Sequence, residues 1–132
     1  MPVGSTYYPR SAFASYSSKN KDEVLARIQG IKTVAPDLDV FFDRATLKPG
    51  DRWRDELEKN IQSREVFYLF WSEHAAASEW VSKEWKLALE KRGLDYIQPI
   101  PLQRPNVAPP PQELAELHFN DRWLAYMSTQ GI

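Results

Sequence analysis

Residues 65–92 read EVFYLFW, then SEHAAA, then SEWVSKEWKLALEKR. The first block is nearly continuous in apolar and aromatic residues, the pattern of a central parallel strand covered on both faces. The second is a short polar link that leads to Ser78, a good N-cap. In the third, Val81, Trp85, Ala88 and Leu89 recur at helical spacing, and Gly93 is the natural stop. Trp80 and Glu84 stand one turn apart at one edge of that stripe, which allows both partial exposure. An indole beside a carboxylate, just past the C-terminal end of a buried strand, lies where open α/β sheets bind ligands.

Working outward, residues 1–10 carry two prolines, a glycine and paired tyrosines and read as a lead-in. SAFAS (residues 11–15) predicts a first strand, followed by a polar loop with cap candidates Ser17, Ser18 and Asn20. A helix then starts near Lys21 on Val24, Leu25, Ile28 and Ile31, with Gly30 and Pro36 bracketing its end. LDVFF (38–42) is a second strand, and DRATLKPG (43–50) is a loop closed by a Pro-Gly turn signal. Asp51 caps a helix through Gln62 whose stripe is Trp53, Leu57 and Ile61. YIQPIPL (96–102) is a strand in which Pro99 and Pro101 remove two ladder donors, making it short or edge-like. Beyond the proline-rich stretch come a short helix near 112–117, a last strand near 118–120 and a closing helix over 122–127.

Strands alternating with helices through short links imply a parallel sheet with helices on both faces. The expected fold is flavodoxin-like: a three-layer α/β/α domain with roughly five parallel strands in the order 2-1-3-4-5 and a crevice beside the ends of strands 1 and 3. One domain spans 11–128, with a tail at 129–132.

Composition excludes several chemistries. With 17 basic and 18 acidic residues, no global field draws the chain to nucleic acid or anionic lipid. There are no cysteines, so disulfides, zinc thiolates and thiol nucleophiles are ruled out. The glycines at 4, 30, 50, 93 and 131 are too dispersed for a phosphate-cradling loop, and GxSxG is absent. His74 and His118 lack metal spacing and read as ordinary surface or capping residues. Without a signal-peptide run at the N-terminus or a membrane-length apolar stretch, a cytoplasmic location is expected. Carboxylate chemistry at Glu84 is what remains, although a glutamate among Lys83, Lys86 and Lys91 also reads as a solvated surface residue.

Three boxes in order resemble those of the TIR (Toll, interleukin receptor, resistance) domain family. Phe13-Ala14-Ser15-Tyr16-Ser17-Ser18-Lys19 resembles the opening FISYSSKD box, with alanine replacing a branched residue. Phe41-Phe42-Asp43-Arg44 and Leu47-Lys48-Pro49-Gly50 resemble the second strand and BB loop, and Ser78-Glu79-Trp80-Val81-Ser82-Lys83-Glu84 resembles SxWCxxE with valine for cysteine.

Enzymatic members cleave the nicotinamide–ribose bond of NAD+ using the glutamate of this last box. The resemblance therefore implies an NAD+ nucleosidase with Glu84 as catalytic residue and Trp80 stacking on or gating the nicotinamide ribose. NAD+ is the substrate, and no cofactor or metal is implied. Phe13, Ser15, Tyr16 and Ser72 are expected to line the crevice. Arg44 and Lys48 are cations for the pyrophosphate, Asp43 fixes the loop or meets ligand, and Trp53 can stack on a ring. For Phe13 and Trp53, core packing is an equally open reading.

The family also implies self-association through TIR–TIR contacts at the BB loop (43–50). A fused or separate oligomerising or sensor module would serve the same end, with a role in immune defence. Two alternatives stand beside this: a non-catalytic adaptor that only assembles with other TIR domains, and an enzyme resembling nucleoside deoxyribosyltransferases.

Overall fold

A computed structural model describes residues 9–42 and 53–117. The loop 43–50 with Asp43, Arg44 and Lys48, the Asp51 cap, the strand and helix expected after 117, most of the lead-in, and the tail lie outside the described residues.

Among the described residues there are four strands: β1 (Ser11–Ser15), β2 (Asp39–Phe42), β3 (Val66–Trp71) and β4 (Ile97–Pro101). They form one parallel sheet in the order β2-β1-β3-β4. Between them run α1 (Lys21–Val34), α2 (Trp53–Ser63), α3 (Glu73–Ala76) and α4 (Glu79–Arg92). Short 3-10 turns cover Ser18–Asn20, Leu94–Tyr96 and Gln112–Leu114.

The period of two along each strand sorts the core into two layers. Phe13 of β1 with Phe67, Leu69 and Trp71 of β3 pack under Leu57 and Ile61 of α2 and Val81, Trp85 and Ala88 of α4. Ala12, Ala14, Tyr16, Tyr68 and Phe70 face the other way, onto Val24, Ile28 and Ile31 of α1. Residues 67–71 of β3 are all buried, which is why that stretch tolerates no polar alternation.

Local chemistry sets most element ends. The Ser78 hydroxyl accepts from the Val81 N–H (3.1 Å), capping α4. At the other end Gly93 has φ +85°, a left-handed torsion that side chains resist, and its N–H closes onto the Leu89 carbonyl. Helix α1 ends at Val34, between Gly30 and Pro36 as expected, with Gly30 tolerated inside the helix where packing holds the turns on either side. Two expectations are corrected. Leu25 falls off the buried stripe and is 39% exposed. The link 72–77 contains a helical turn, α3, capped by the Ser72 hydroxyl accepting from Ala75 N–H (3.0 Å).

The prolines of β4 also act differently from expectation. The Leu102 N–H donates to the Trp71 carbonyl with Trp71 opposite Pro101, so the even-numbered residues of this strand face β3. Pro99 and Pro101 therefore point their ring nitrogens outward, and the β3–β4 ladder loses no donor. On the sheet's α2/α4 side, Arg92 binds the end of α2 by donating from Nη1 to the carbonyls of Ile61, Gln62 and Arg64 (3.0–3.1 Å). Its guanidinium lies 3.9 Å from the centroid of the Tyr96 ring, whose hydroxyl donates to the Ile61 carbonyl. No described helix is long and apolar enough to cross a membrane.

Candidate functional site

The strand order reverses direction between β1 and β3: the chain leaves β1 toward β2 on one side and β3 toward β4 on the other. The carboxyl ends of these two strands define the crevice position of an open α/β sheet. Ser15 is the last residue of β1, paired with Leu69 of β3, and shares the sheet face of Phe13. That face looks at α4.

Glu84 comes down from α4 onto this point. Its carboxylate Oε1 accepts a hydrogen bond from the Ser15 hydroxyl at 2.8 Å, and both residues have zero exposure. Glu84 is flanked on its helix by Val81, Trp85, Leu87 and Ala88, all buried. The sequence reading allowed it partial exposure, but the helix sits closer to the sheet than an edge position requires. A carboxylate at a wholly buried helix position is uncommon, since such positions ordinarily hold aliphatic residues.

Trp80, one turn earlier, is half-buried. Its indole meets that of Trp53 at the start of α2 edge to face, with centroids 5.6 Å apart and planes at 63°. The Lys83 ammonium lies 4.9 Å from the Trp53 ring centroid and 6.0 Å from that of Trp80. These distances are within cation–π range. Beside them, between α2 and α4, Trp53, Arg54, Lys83, Lys86, Leu87 and Glu90 line a groove of about 390 Å³. Glu84 does not line it.

The remaining expected crevice residues separate. Phe13 takes the core option, stacked on Phe67 at 5.1 Å and tilted against Phe41 at 5.4 Å, with no exposed surface. Tyr16 follows Ser15 on the opposite sheet face, buried in the α1 layer and edge-on to Phe42. A period of two cannot bring both Ser15 and Tyr16 to the α4 side. Ser72 is buried: besides capping α3 it donates to Asn20 Oδ1 (2.7 Å), tying the loop after β3 to the loop after β1. Of the expected set the structure joins Ser15 to Glu84 and Trp53 to Trp80. It adds Lys83 and Asn20, to which the sequence reading gave no part in the site.

Among the described residues no group of three or more histidine, aspartate, glutamate or cysteine side chains is placed to hold a metal ion.

A parallel three-layer α/β domain with a carboxylate under the reversal of its strand order belongs to the flavodoxin-like class. Within that class, a family model described as the TIR domain matches residues 13–129. The chain belongs to the TIR domain family. No curated protein matches it. Among solved structures it is similar in fold to the TIR domain of the Toll-related receptor TRR-2 from Hydra magnipapillata. That match has a TM-score of 0.64 and 15% identity, covering 91% of this chain and 92% of the other. TIR domains commonly self-associate.

Proposed function

We propose that this TIR domain is an NAD+ nucleosidase in which Glu84 is the catalytic residue. The observation that carries the reading is the Glu84 carboxylate, wholly buried at the strand-order reversal and held by the Ser15 hydroxyl. Packing alone favours an aliphatic side chain at such a position, so a carboxylate there calls for a chemical role.

The chemistry suits one carboxylate. As the C1′–N1 bond breaks, its electron pair stays on the ring nitrogen and nicotinamide leaves neutral, with no acid required. Positive charge grows on the ribose, and a negative carboxylate beside C1′ stabilises it. Water then adds its oxygen to C1′ and releases a proton, giving ADP-ribose. Attack by a group of the adenosine half instead gives a cyclic isomer. Trp80 stacks on or gates the nicotinamide ribose.

With no exposed surface on Glu84, substrate reaches it only after neighbouring side chains part. This fits a domain that self-association activates, and a place in immune defence follows from the same family reading.

The test is nicotinamide release from NAD+ by wild type and Glu84→Ala over a wide range of protein concentration. The reading expects release that rises faster than linearly with wild-type concentration and disappears in the variant. Equal rates in both proteins would remove Glu84 from the reaction. No release at any concentration would leave the adaptor role as the better account.

A further inference from the structure

We infer that Ser15 is the positioning residue for Glu84: it fixes the carboxylate's orientation and does not itself touch substrate. This rests on the nucleosidase reading above and adds to it a division of labour inside the site.

Three observations carry the inference. Ser15 has zero exposure, and its hydroxyl donates to Glu84 Oε1 at 2.8 Å. It therefore spends its one donor on the carboxylate. Second, the two residues come from the most constrained parts of the fold. Strand β1 is flanked by β2 and β3, with Ser15 opposite Leu69, while α4 is anchored in the same layer by Val81, Trp85 and Ala88. A hydroxyl on a central strand facing a carboxylate on a packed helix has its geometry set by both elements, which is how rigid sites are built. Third, Ser15 lies on the α4 side of the sheet by the strand period, while its neighbours Ala14 and Tyr16 lie on the α1 side. No other described residue of β1 offers a side-chain hydrogen-bond donor to that side except Ser11, at the far end, whose hydroxyl accepts from Glu65 N–H (3.0 Å).

The physical consequence is specific. A glutamate has several side-chain torsions, and in an apolar layer nothing but polar contacts selects the rotation of its terminal carboxylate. A charge-assisted bond from a fixed hydroxyl selects it. Since the effect is on the geometry of the group that meets developing charge, it belongs to the transition state more than to ground-state binding.

The experiment compares the full chain with Ser15→Ala, Ser15→Cys and Ser15→Thr in steady-state nicotinamide release, with Glu84→Ala as the inactive reference. Cysteine keeps nearly the volume of serine with a weak donor, and threonine keeps the donor. Circular dichroism and thermal midpoints establish that each variant is folded. The expected result is a kcat lower by roughly 10- to 100-fold in Ser15→Ala and Ser15→Cys, with KM within about threefold of wild type. Ser15→Thr should recover most of kcat. A raised KM with unchanged kcat would overturn the inference in favour of direct substrate contact. Wild-type kinetics in Ser15→Ala would overturn it outright. Equal loss in all three variants would overturn it in favour of packing. These outcomes differ from failure of the nucleosidase reading itself, in which wild type and Glu84→Ala both leave NAD+ intact.

Discussion

The site should be a liability for stability, and replacing both of its polar partners tests this. Glu84 and Ser15 are both wholly buried and bonded to each other at 2.8 Å. Removing a carboxylate from water costs several kcal/mol even after relaxation, and exchanging a buried ionic group for well-packed apolar side chains is often neutral or stabilising by about 1–4 kcal/mol. Glu84→Leu removes the desolvation cost and adds apolar contact with Val81, Trp85 and Ala88. It also strands the Ser15 hydroxyl, a penalty of about 1–3 kcal/mol, so the single variant should lie near wild type. Adding Ser15→Ala removes the stranded hydroxyl. The double variant should exceed wild type by about 1–3 kcal/mol, with a thermal midpoint higher by about 3–5 °C for each kcal/mol. Urea unfolding followed by tryptophan fluorescence and circular dichroism measures this, with the slope m unchanged if the fold is kept. A double variant less stable than wild type by more than about 1 kcal/mol would show that the carboxylate is needed for the architecture. The argument that it is retained for chemistry would then fail.

Two other expectations concern the far end of α4. Arg92→Ala should lower stability by about 1–2 kcal/mol, since three carbonyls at the end of α2 lose their shared donor and the Tyr96 ring its cation. Arg92→Lys should recover only part of this because an ammonium lacks the planar fork, and full recovery in urea titrations would contradict the assigned geometry. The second concerns alkaline pH. Burial pushes Tyr68 up to about 12, and it pushes Tyr96 up to about 12 against the opposing pull of Arg92 and Arg64, while unfolded tyrosine ionises near 10.0. The unfolded chain thus loses its protons first, so stability is full below pH 10 and falls as pH rises toward 12. At pH 11 the loss is about 1 kcal/mol for each tyrosine, and Tyr68→Phe or Tyr96→Phe should flatten the profile by that share in urea midpoints measured from pH 8 to 11. An unchanged slope in both variants would remove the tyrosines as its cause.

The sequence was most legible where local chemistry acts without competition. The apolar run of β3, the Ser78 cap and the Gly93 stop each follow from a few adjacent residues, and each stands where the pattern put it. Strand order for the four described strands followed from the βα rhythm. What could not be read was depth. Glu84 looked like a surface residue because its neighbours Lys83, Lys86 and Lys91 are charged, yet helix rotation sends those outward while Glu84 faces β1. The Ser15–Glu84 bond spans 69 positions and has no local signal beyond the strand period that placed Ser15 with Phe13. That same period, applied one residue further, would have separated Tyr16 from the crevice. Phe13 and Trp53 were undecidable from composition because aromatics serve cores and sites alike. Packing resolved Phe13 into the core and left Trp53 half-buried against Trp80.

The outward-turned prolines of β4 bear on how copies of this domain can combine. A strand laid on that side, from this chain or another, would find no amide hydrogen at Pro99 or Pro101, and the N–H of Ile97 is already given to the Leu94 carbonyl. Such a join would have carbonyls to donate to but no donors to accept from, so this side of β4 is a poor template for the continuous ribbons through which exposed strand edges aggregate. Among the described strands, two imino acids thus give this side the protection that charged or covered edges give elsewhere.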